Sequence, residues 1–233
     1  MMKQMQQSVC ALAVLAATTL PAMAESVDVR VIGTITPAAC TPTLSGGGTV
    51  DYGAINPATL SAADYTLLPE HQLDFTITCD APAKLALRAI NGRPNTLAGG
   101  TEGVGGYGVS PVQLLGSANV RAAGLGLDGA DKIGGYGMAL RGDTVTADGN
   151  PVVSLVSSNR GAAWGVSAGG EIGGAAVADN WRSWGATGTT TPVAFENLTG
   201  QISVQAYLNH ASALDLTKPV ALDGLTTLEL VYL

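Results

Sequence analysis

The stretch Leu73-Asp-Phe-Thr-Ile-Thr-Cys79 alternates apolar and polar residues more cleanly than any other part of the chain. Successive side chains of a β-strand point to opposite faces, so the four odd-numbered residues share one face and are expected to point into a core. Similar alternation recurs at residues 84–90, 201–208 and 226–233. No window has the pattern of an amphipathic helix. The sequence therefore predicts an all-β fold.

The predicted strands are separated by turn residues. A turn is expected at Asp80-Ala-Pro82, and Asn91-Gly92 is expected to end the second strand. A shorter strand is expected at residues 191–196. The centre, residues 97–190, is rich in Gly, Ala and Ser. Because glycine loses the most conformational freedom on folding, we expect this long insertion to form loops or irregular edge strands, with short strands at 136–141 and 152–156.

The first 24 residues have the organisation of a secretion signal. Lys3 supplies a positive charge, residues 9–20 form an apolar run, and Ala22-Met-Ala24 is a small-x-small cleavage site. The run is too short for a comfortable membrane span. A buried N-terminal helix is the alternative, but it does not account for the order of these three features. Residues 1–24 are therefore predicted to be a signal peptide.

Cysteine usage is simple once the signal peptide is removed. Cys10 lies in the apolar run and is lost with it, which leaves Cys40 and Cys79. In an oxidising compartment this pair is expected to form one disulfide. Two cysteines alone would make an incomplete zinc site, because structural zinc takes four ligands. No metal is expected.

The charge and the histidines argue against two broad classes of function. The formal net charge is −7, and only 12% of residues are charged. Nucleic-acid binding needs clustered Lys and Arg, so nucleic acid is not an expected partner. His71 and His210 are the only histidines, and both are expected in solvated loops. No nucleophile elbow or nucleotide-binding loop context is present, so neither enzymatic activity nor a cofactor is expected.

Three tryptophans lie in the glycine-rich centre: Trp164, Trp181 and Trp184. Tryptophan is highly buried on average, which favours the interpretation that these rings cover the glycine-rich segment. The alternative is an exposed aromatic surface that contacts a glycan.

An apolar arm, residues 25–36, lies between the predicted signal peptide and Cys40. Five of its residues fall on one face of an extended strand: Val27, Val29, Val31, Gly33 and Ile35. Exposed chain termini are usually polar and disordered unless they dock. The arm is therefore expected to complete a sheet in another copy of the chain.

With these features, the chain resembles the subunits of chaperone–usher pili, and it resembles a divergent, fimbrial-like pilin among them. The alternating arm has Gly33 seven residues before Cys40, and Cys79 ends a strand. The last predicted strand carries an aromatic residue at Tyr232. The resemblance covers residues 25–90 and 191–233.

The resemblance implies an incomplete immunoglobulin-like β-sandwich over residues 37–233, which lacks its last strand. It implies that a periplasmic chaperone first lends a strand beside Leu228, Leu230 and Tyr232. At the outer-membrane usher, the arm of another pilin subunit then replaces the chaperone, which builds a head-to-tail polymer. The product would be a fimbria exported through the periplasm to the cell surface, where it supports adhesion.

Two other classes of function stay open. One is a surface-exposed adhesin or glycan-binding sandwich that uses the three tryptophans to bind a host glycan or surface. The other is a secreted hydrolase, for which the sequence has no recognisable site.

Overall fold

A computed structural model describes residues 28–34, 38–174 and 180–233 of the 233-residue chain. The predicted signal peptide lies outside the described residues, as do Val27 and Ile35 of the arm. The chain divides into two units, residues 1–36 and 37–233. In the described part of the chain, no helix has the length and apolar character needed to span a membrane.

The described residues of the unit 37–233 form sixteen strands. They are β1 (Cys40–Leu44), β2 (Thr66–Ala83), β3 (Leu85–Asn91), β4 (Gly108–Val109), β5 (Arg121–Gly124), β6 (Leu127–Asp128), β7 (Asp131–Lys132), β8 (Gly134–Leu140), β9 (Thr146–Ala147), β10 (Asn150–Pro151), β11 (Val153–Ser157), β12 (Gly165–Val166), β13 (Glu171–Ile172), β14 (Trp181–Gly185), β15 (Phe195–Leu208) and β16 (Thr226–Tyr232). Four short 3₁₀ turns occur at Ser45–Gly48, Pro57–Thr59, Gly142–Thr144 and Ala211–Ala213.

Two antiparallel sheets make up most of the fold. The first sheet has the order β1-β2-β15-β8-β5-β4, with β13 beside β8 and the β9–β10 pair beside β15. The second sheet has the order β12-β11-β14-β3-β16. A separate hairpin joins β6 to β7. Among the described residues, no strand pairs with the outer side of β16 or of β1, so each sheet ends there on a strand that is paired on one side only.

The two sheets share one hydrophobic core. Ile77 of β2 and Ile202 of β15 lie in the same buried cluster as Leu87 of β3 and Trp184 of β14. Within β2, Phe75, Ile77 and Cys79 are buried and Leu73 is half-buried, as the alternation predicts. The predicted all-β sandwich is confirmed.

The glycine-rich centre contains the short strands predicted at 136–141 and 152–156, which are β8 and β11, but β8 is an interior strand and not the loop or irregular edge strand that was expected. Strand β8 lies between β15 and β5, and all seven of its residues are buried. A second core covers its other face, built from Leu97, Leu114, Val120, Tyr207 and their neighbours. A Cβ at Gly135 would lie 2.5 Å from a methyl carbon of Leu97. The glycines are needed because side chains approach β8 closely on both faces.

Two predicted boundaries are also wrong. Strand β2 continues through Ala83, which pairs with Phe195, so residues 80–82 form no turn. Two hydrogen bonds to Ala39 keep Asp80 in the extended conformation of the strand. The Ala39 N–H donates to the Asp80 carboxylate at 2.7 Å, and the Asp80 N–H donates to the Ala39 carbonyl at 3.0 Å. Of the short strand expected at 191–196, only Phe195 and Glu196 belong to a strand, and they begin β15.

The predicted disulfide between Cys40 and Cys79 is confirmed. The two residues are directly opposite each other in the β1–β2 pair. Because β2 is the only strand beside β1 in the described chain, the bond fixes an otherwise weakly held edge strand.

Replacing both cysteines, Cys40→Ser with Cys79→Ser, is expected to lower the free energy of unfolding by about 4 kcal/mol. The disulfide joins residues 39 apart in sequence, and its removal restores the freedom of that loop in the unfolded chain. Denaturant unfolding of the purified protein measures the change. The double change Thr41→Ser with Thr78→Ser, at the next opposed pair, is the control. Unchanged yield and unchanged stability would contradict the structural role.

Candidate functional site: an open apolar groove

An open cavity of about 620 Å³ lies beside β16, between the two sheets. We call this cavity the groove. Its floor is formed by residues of the first sheet that point inward, and Thr226 and Leu228 of β16 form one wall. The floor residues include Leu44, Leu73, Tyr136, Met138, Ile202, Val204, Ala206 and Leu208. The lining is mostly aliphatic, so the groove presents apolar surface to solvent, which soluble monomers rarely do unless it is a contact site.

Two segments without assigned secondary structure border the groove. The first rim is residues 49–56, and the second rim is residues 219–225. In the second rim, half-buried Val220 and Leu222 alternate with exposed residues. Thr226, Leu228 and Leu230 of β16 are half-buried in the same phase, with an exposed glycine, Gly224, between the two stretches. The second rim thus has the side-chain pattern of a strand, but strand pairing begins only at Thr226.

The backbone of both rims is largely unpaired. Among the described residues, the N–H groups of Val50, Tyr52 and Ile55 donate no hydrogen bond to protein atoms, and those of Val220 and Leu222 donate none either. Backbone donors need a partner, and here water or an added chain must supply it. An apolar floor between two rows of free backbone groups is the arrangement that accepts an extended peptide.

Tyr52 fixes the first rim to the floor. Its hydroxyl accepts a hydrogen bond of 3.2 Å from the backbone N–H of Ala206 in β15. The ring stands edge-on to His71, with centroids 4.8 Å apart. Burial raises the pKa of Tyr52 above its ordinary value, so the phenol stays protonated.

The three residues predicted to border the groove have different positions. Leu228 lines it. Leu230 is half-buried and packs against the shared core. Tyr232 is 51% exposed, and its hydroxyl accepts a hydrogen bond of 2.9 Å from the backbone N–H of Cys40. This bond joins the end of β16 to the start of β1, so it ties the two sheet edges together.

The described residues of the arm, 28–34, expose their apolar side chains. Val29 is 86% exposed and Val31 is 92% exposed. At Gly33, an added Cβ would meet nothing within 4 Å. None of these seven residues is assigned to a strand. The predicted docking of the arm onto another copy stays a prediction.

The tryptophans do not form one exposed surface, which excludes Trp184 from the alternative interpretation of a glycan contact. Trp184 is 1% exposed, and its ring packs edge-on against Phe195 with centroids 5.8 Å apart. This ring is part of the core and cannot stack on a glycan. Trp164 and Trp181 are half-buried, and a Cβ at Gly161 would lie 3.3 and 3.4 Å from their rings. They cover a glycine-rich loop, and a glycan contact at these two residues stays a prediction.

Both histidines were predicted to lie in solvated loops, and the structure places them differently from each other. His71 lies inside β2 against Tyr52, so the predicted solvated loop is wrong there, because β2 is longer than its clean alternation indicates. His210 lies two residues after the end of β15, outside any strand, and is half-buried, with its ring centroid 4.4 Å from that of Tyr65. No cluster of three side chains able to hold a metal occurs in the part of the chain that the structure describes.

Sequence reasoning missed the rims. Val50, Tyr52, Val220 and Leu222 border the groove, and none was predicted to do so. A signal was present at Val220-Ala-Leu222, which is in phase with the alternation of residues 226–233.

Comparison with known proteins gives relatives along nearly the whole chain. A family model described as a protein of unknown function, DUF1120, matches residues 29–137. The chain is 28% identical to protein GltF of Escherichia coli (strain K12) over 258 aligned residues, covering 97% of this chain and 96% of GltF. It is 29% identical to the uncharacterized protein YhcF of the same organism over 221 residues, covering 89% of this chain and 90% of YhcF.

The chain is similar to GltF and YhcF. Their names carry no biochemical activity, so the groove itself is the basis for an inference about function. No solved structure gives a significant match to the chain.

Proposed function

We propose that the chain is a structural subunit of an extracellular fimbria, and that the groove accepts the arm, residues 25–36, of a neighbouring subunit. The observation that carries this proposal is the apolar groove bordered by unpaired backbone on both rims. In β-strand addition, main-chain hydrogen bonds provide affinity and alternate side chains provide register. The groove offers both kinds of contact.

The arm has the chemistry that such a groove requires. Four β-branched residues, Val27, Val29, Val31 and Ile35, fall on one face, with Gly33 between them. Burying these four side chains would contribute on the order of 6–10 kcal/mol before the cost of ordering the arm. Because the arm and the groove are different surfaces, the contact is heterologous and continues as an open filament.

A subunit with an empty groove needs protection before assembly. Free sheet edges and exposed apolar surface lead to aggregation. We therefore propose that a periplasmic chaperone occupies the free edge of β16 until the outer-membrane usher exchanges it for the next arm. The finished fimbria lies at the cell surface and supports adhesion.

Deleting residues 25–36 tests the proposal directly. The chain that keeps the arm is expected to form polymers, and the deleted chain is expected to stay monomeric, since it has a groove but no strand to donate. Size-exclusion chromatography with light scattering measures both. A synthetic peptide of residues 25–36, added to the deleted chain, is expected to raise its melting temperature, because a ligand that binds only the folded state stabilises it.

A peptide of the same length with Val29→Asp and Val31→Asp is the matched control, and it is expected to have no effect. Polymer formed by the deleted chain would refute the proposal. Equal stabilisation by both peptides would refute it as well.

A further inference from the structure

Hydroxyl groups join β16 to the first sheet at both of its ends. Tyr232, the last residue of β16, accepts a hydrogen bond from Cys40 of β1. At the other end, the hydroxyl of Tyr136 lies 2.6 Å from the hydroxyl of Thr226, the first residue of β16. Tyr136 belongs to β8 in the first sheet, and Thr226 belongs to the second sheet. The Tyr136–Thr226 bond therefore crosses the space between the sheets.

Tyr136 is also part of the groove. Its side chain lines the floor, and only 7% of the residue is exposed. A Cβ at Gly224 would lie 2.8 Å from the ring, so the second rim rests directly on Tyr136. Burial raises the pKa of Tyr136, which keeps the phenol protonated and able to donate or accept this bond.

The hydrogen bonds of the second rim stop abruptly near this tyrosine. Arg93 donates two bonds of 2.7 Å to the Asp223 carboxylate, and the backbone N–H of Asp223 donates to Leu125. The carbonyl of Leu225 accepts from Gly92 at 2.8 Å. Residues 220–222, which immediately precede Asp223, make no backbone hydrogen bond to any described residue. Residues 223–226 are thus fixed, and the free backbone begins immediately before them.

From this geometry we infer that Tyr136 is a positioning residue for strand acceptance: its hydroxyl bridge to Thr226 sets the width of the groove and the point where an incoming strand starts to pair. The inference rests on the proposed function and adds a specific role for one side chain. Tyr136 acts through Thr226, because their hydrogen bond fixes the position of β16 relative to the floor of the groove. The arm of the neighbouring subunit then meets the edge of β16 in its final position. Preorganising a binding edge in this way lowers the ordering cost of binding.

A second tyrosine provides a matched control. Tyr107 is also buried, but its hydroxyl lies 3.4 Å from Thr226, too far for a strong bond between hydroxyl groups. Tyr107→Phe removes the same atom from the same neighbourhood without breaking the short bridge. Thr226→Val removes the other partner of the bridge, and Thr226→Ser keeps its hydroxyl.

The test uses the arm-deleted chain, residues 37–233, so that no arm of another copy fills the groove. This chain without substitutions is the unmodified chain below, and the ligand is a fluorescently labelled peptide of residues 25–36. Tyr136→Phe and Thr226→Val are each expected to weaken peptide binding about five- to tenfold, because the edge of β16 must then be ordered as the peptide binds. Tyr107→Phe is expected to bind within about twofold of the unmodified chain, and Thr226→Ser, which keeps the bridging hydroxyl, is expected to bind more tightly than Thr226→Val. Hydrogen exchange of the β16 amides, measured without the peptide, is expected to become faster only in Tyr136→Phe and Thr226→Val. Faster exchange would show that the edge of β16 is less rigidly held.

The outcomes separate this inference from the proposed function. If the unmodified chain binds and Tyr136→Phe binds equally well, with unchanged exchange of β16, the inference is overturned and the proposed function stands. If Tyr136→Phe lowers the melting temperature but leaves the peptide affinity unchanged, the hydroxyl is merely stabilising and the inference is overturned. If the unmodified chain does not bind the peptide, the proposed function is wrong and the inference falls with it.

Discussion

Leu228→Asp is expected to weaken binding of the arm more than about 100-fold while the domain stays folded. Leu228 is half-buried and lines the wall of the open groove. In the empty groove, an aspartate at this position can reach water. An inserted strand would exclude that water and leave an unpaired buried carboxylate, which costs about 3–5 kcal/mol. The substitution therefore acts mainly against the filled state.

Titration of the labelled arm peptide by fluorescence anisotropy measures this loss. Thr227→Asp is the matched control, because it adds the same charge one residue away, on the exposed face of the same strand. It is expected to bind the peptide almost as tightly as the unmodified chain does. Binding of Leu228→Asp within threefold of the control would show that the arm docks elsewhere.

Gly134→Ala is expected to prevent stable folding of the domain. Gly134 begins β8 in the middle of the first sheet and is paired with Leu208 of β15. A Cβ at this position would lie 2.1 Å from the backbone oxygen of Tyr207, a distance that no side-chain rearrangement can relieve. The two strands would have to separate, so we expect a loss of at least about 3 kcal/mol in the free energy of unfolding.

Thermal unfolding of the purified protein checks this expectation, with the yield of soluble protein as a second measurement. The control is Gly165→Ala, in the edge strand β12, where an added Cβ meets nothing within 4 Å. It is expected to change stability by less than about 0.5 kcal/mol. Normal stability of Gly134→Ala would mean that β8 does not occupy the centre of the sheet.

The sequence alone predicted the elements whose side chains alternate over a long stretch. In β2 and β16 one face is buried and the other is more exposed, so the period of two is visible in the residues themselves. The residue types of β15 alternate in the same way, although Ser203 and Tyr207 on its second face are buried as well. The disulfide was predictable for a similar reason, since the pair Cys40 and Cys79 had only one way to join. The exposed apolar arm was recognised from its composition, although its partner was not visible in the same residues.

The sequence did not reveal the role of the glycine-rich centre. Strand β8 is buried on both faces, so it has no alternation to read, and its glycines resemble those of a loop. Their purpose depends on Leu97 and Tyr207, which are distant in sequence and reach β8 only after folding. Close packing of this kind is a property of the assembled neighbours.

The groove was likewise decided by the tertiary structure. The sequence determined an alternating last strand and an apolar arm, which together indicated a missing strand. It did not determine that pairing stops at Thr226 and leaves Val220 and Leu222 without backbone partners. That boundary depends on contacts of the second rim with Tyr136, Arg93 and Leu125, none of which is near it in sequence. Side-chain periodicity is a local property of the chain, whereas an unpaired edge exists only relative to the strands around it.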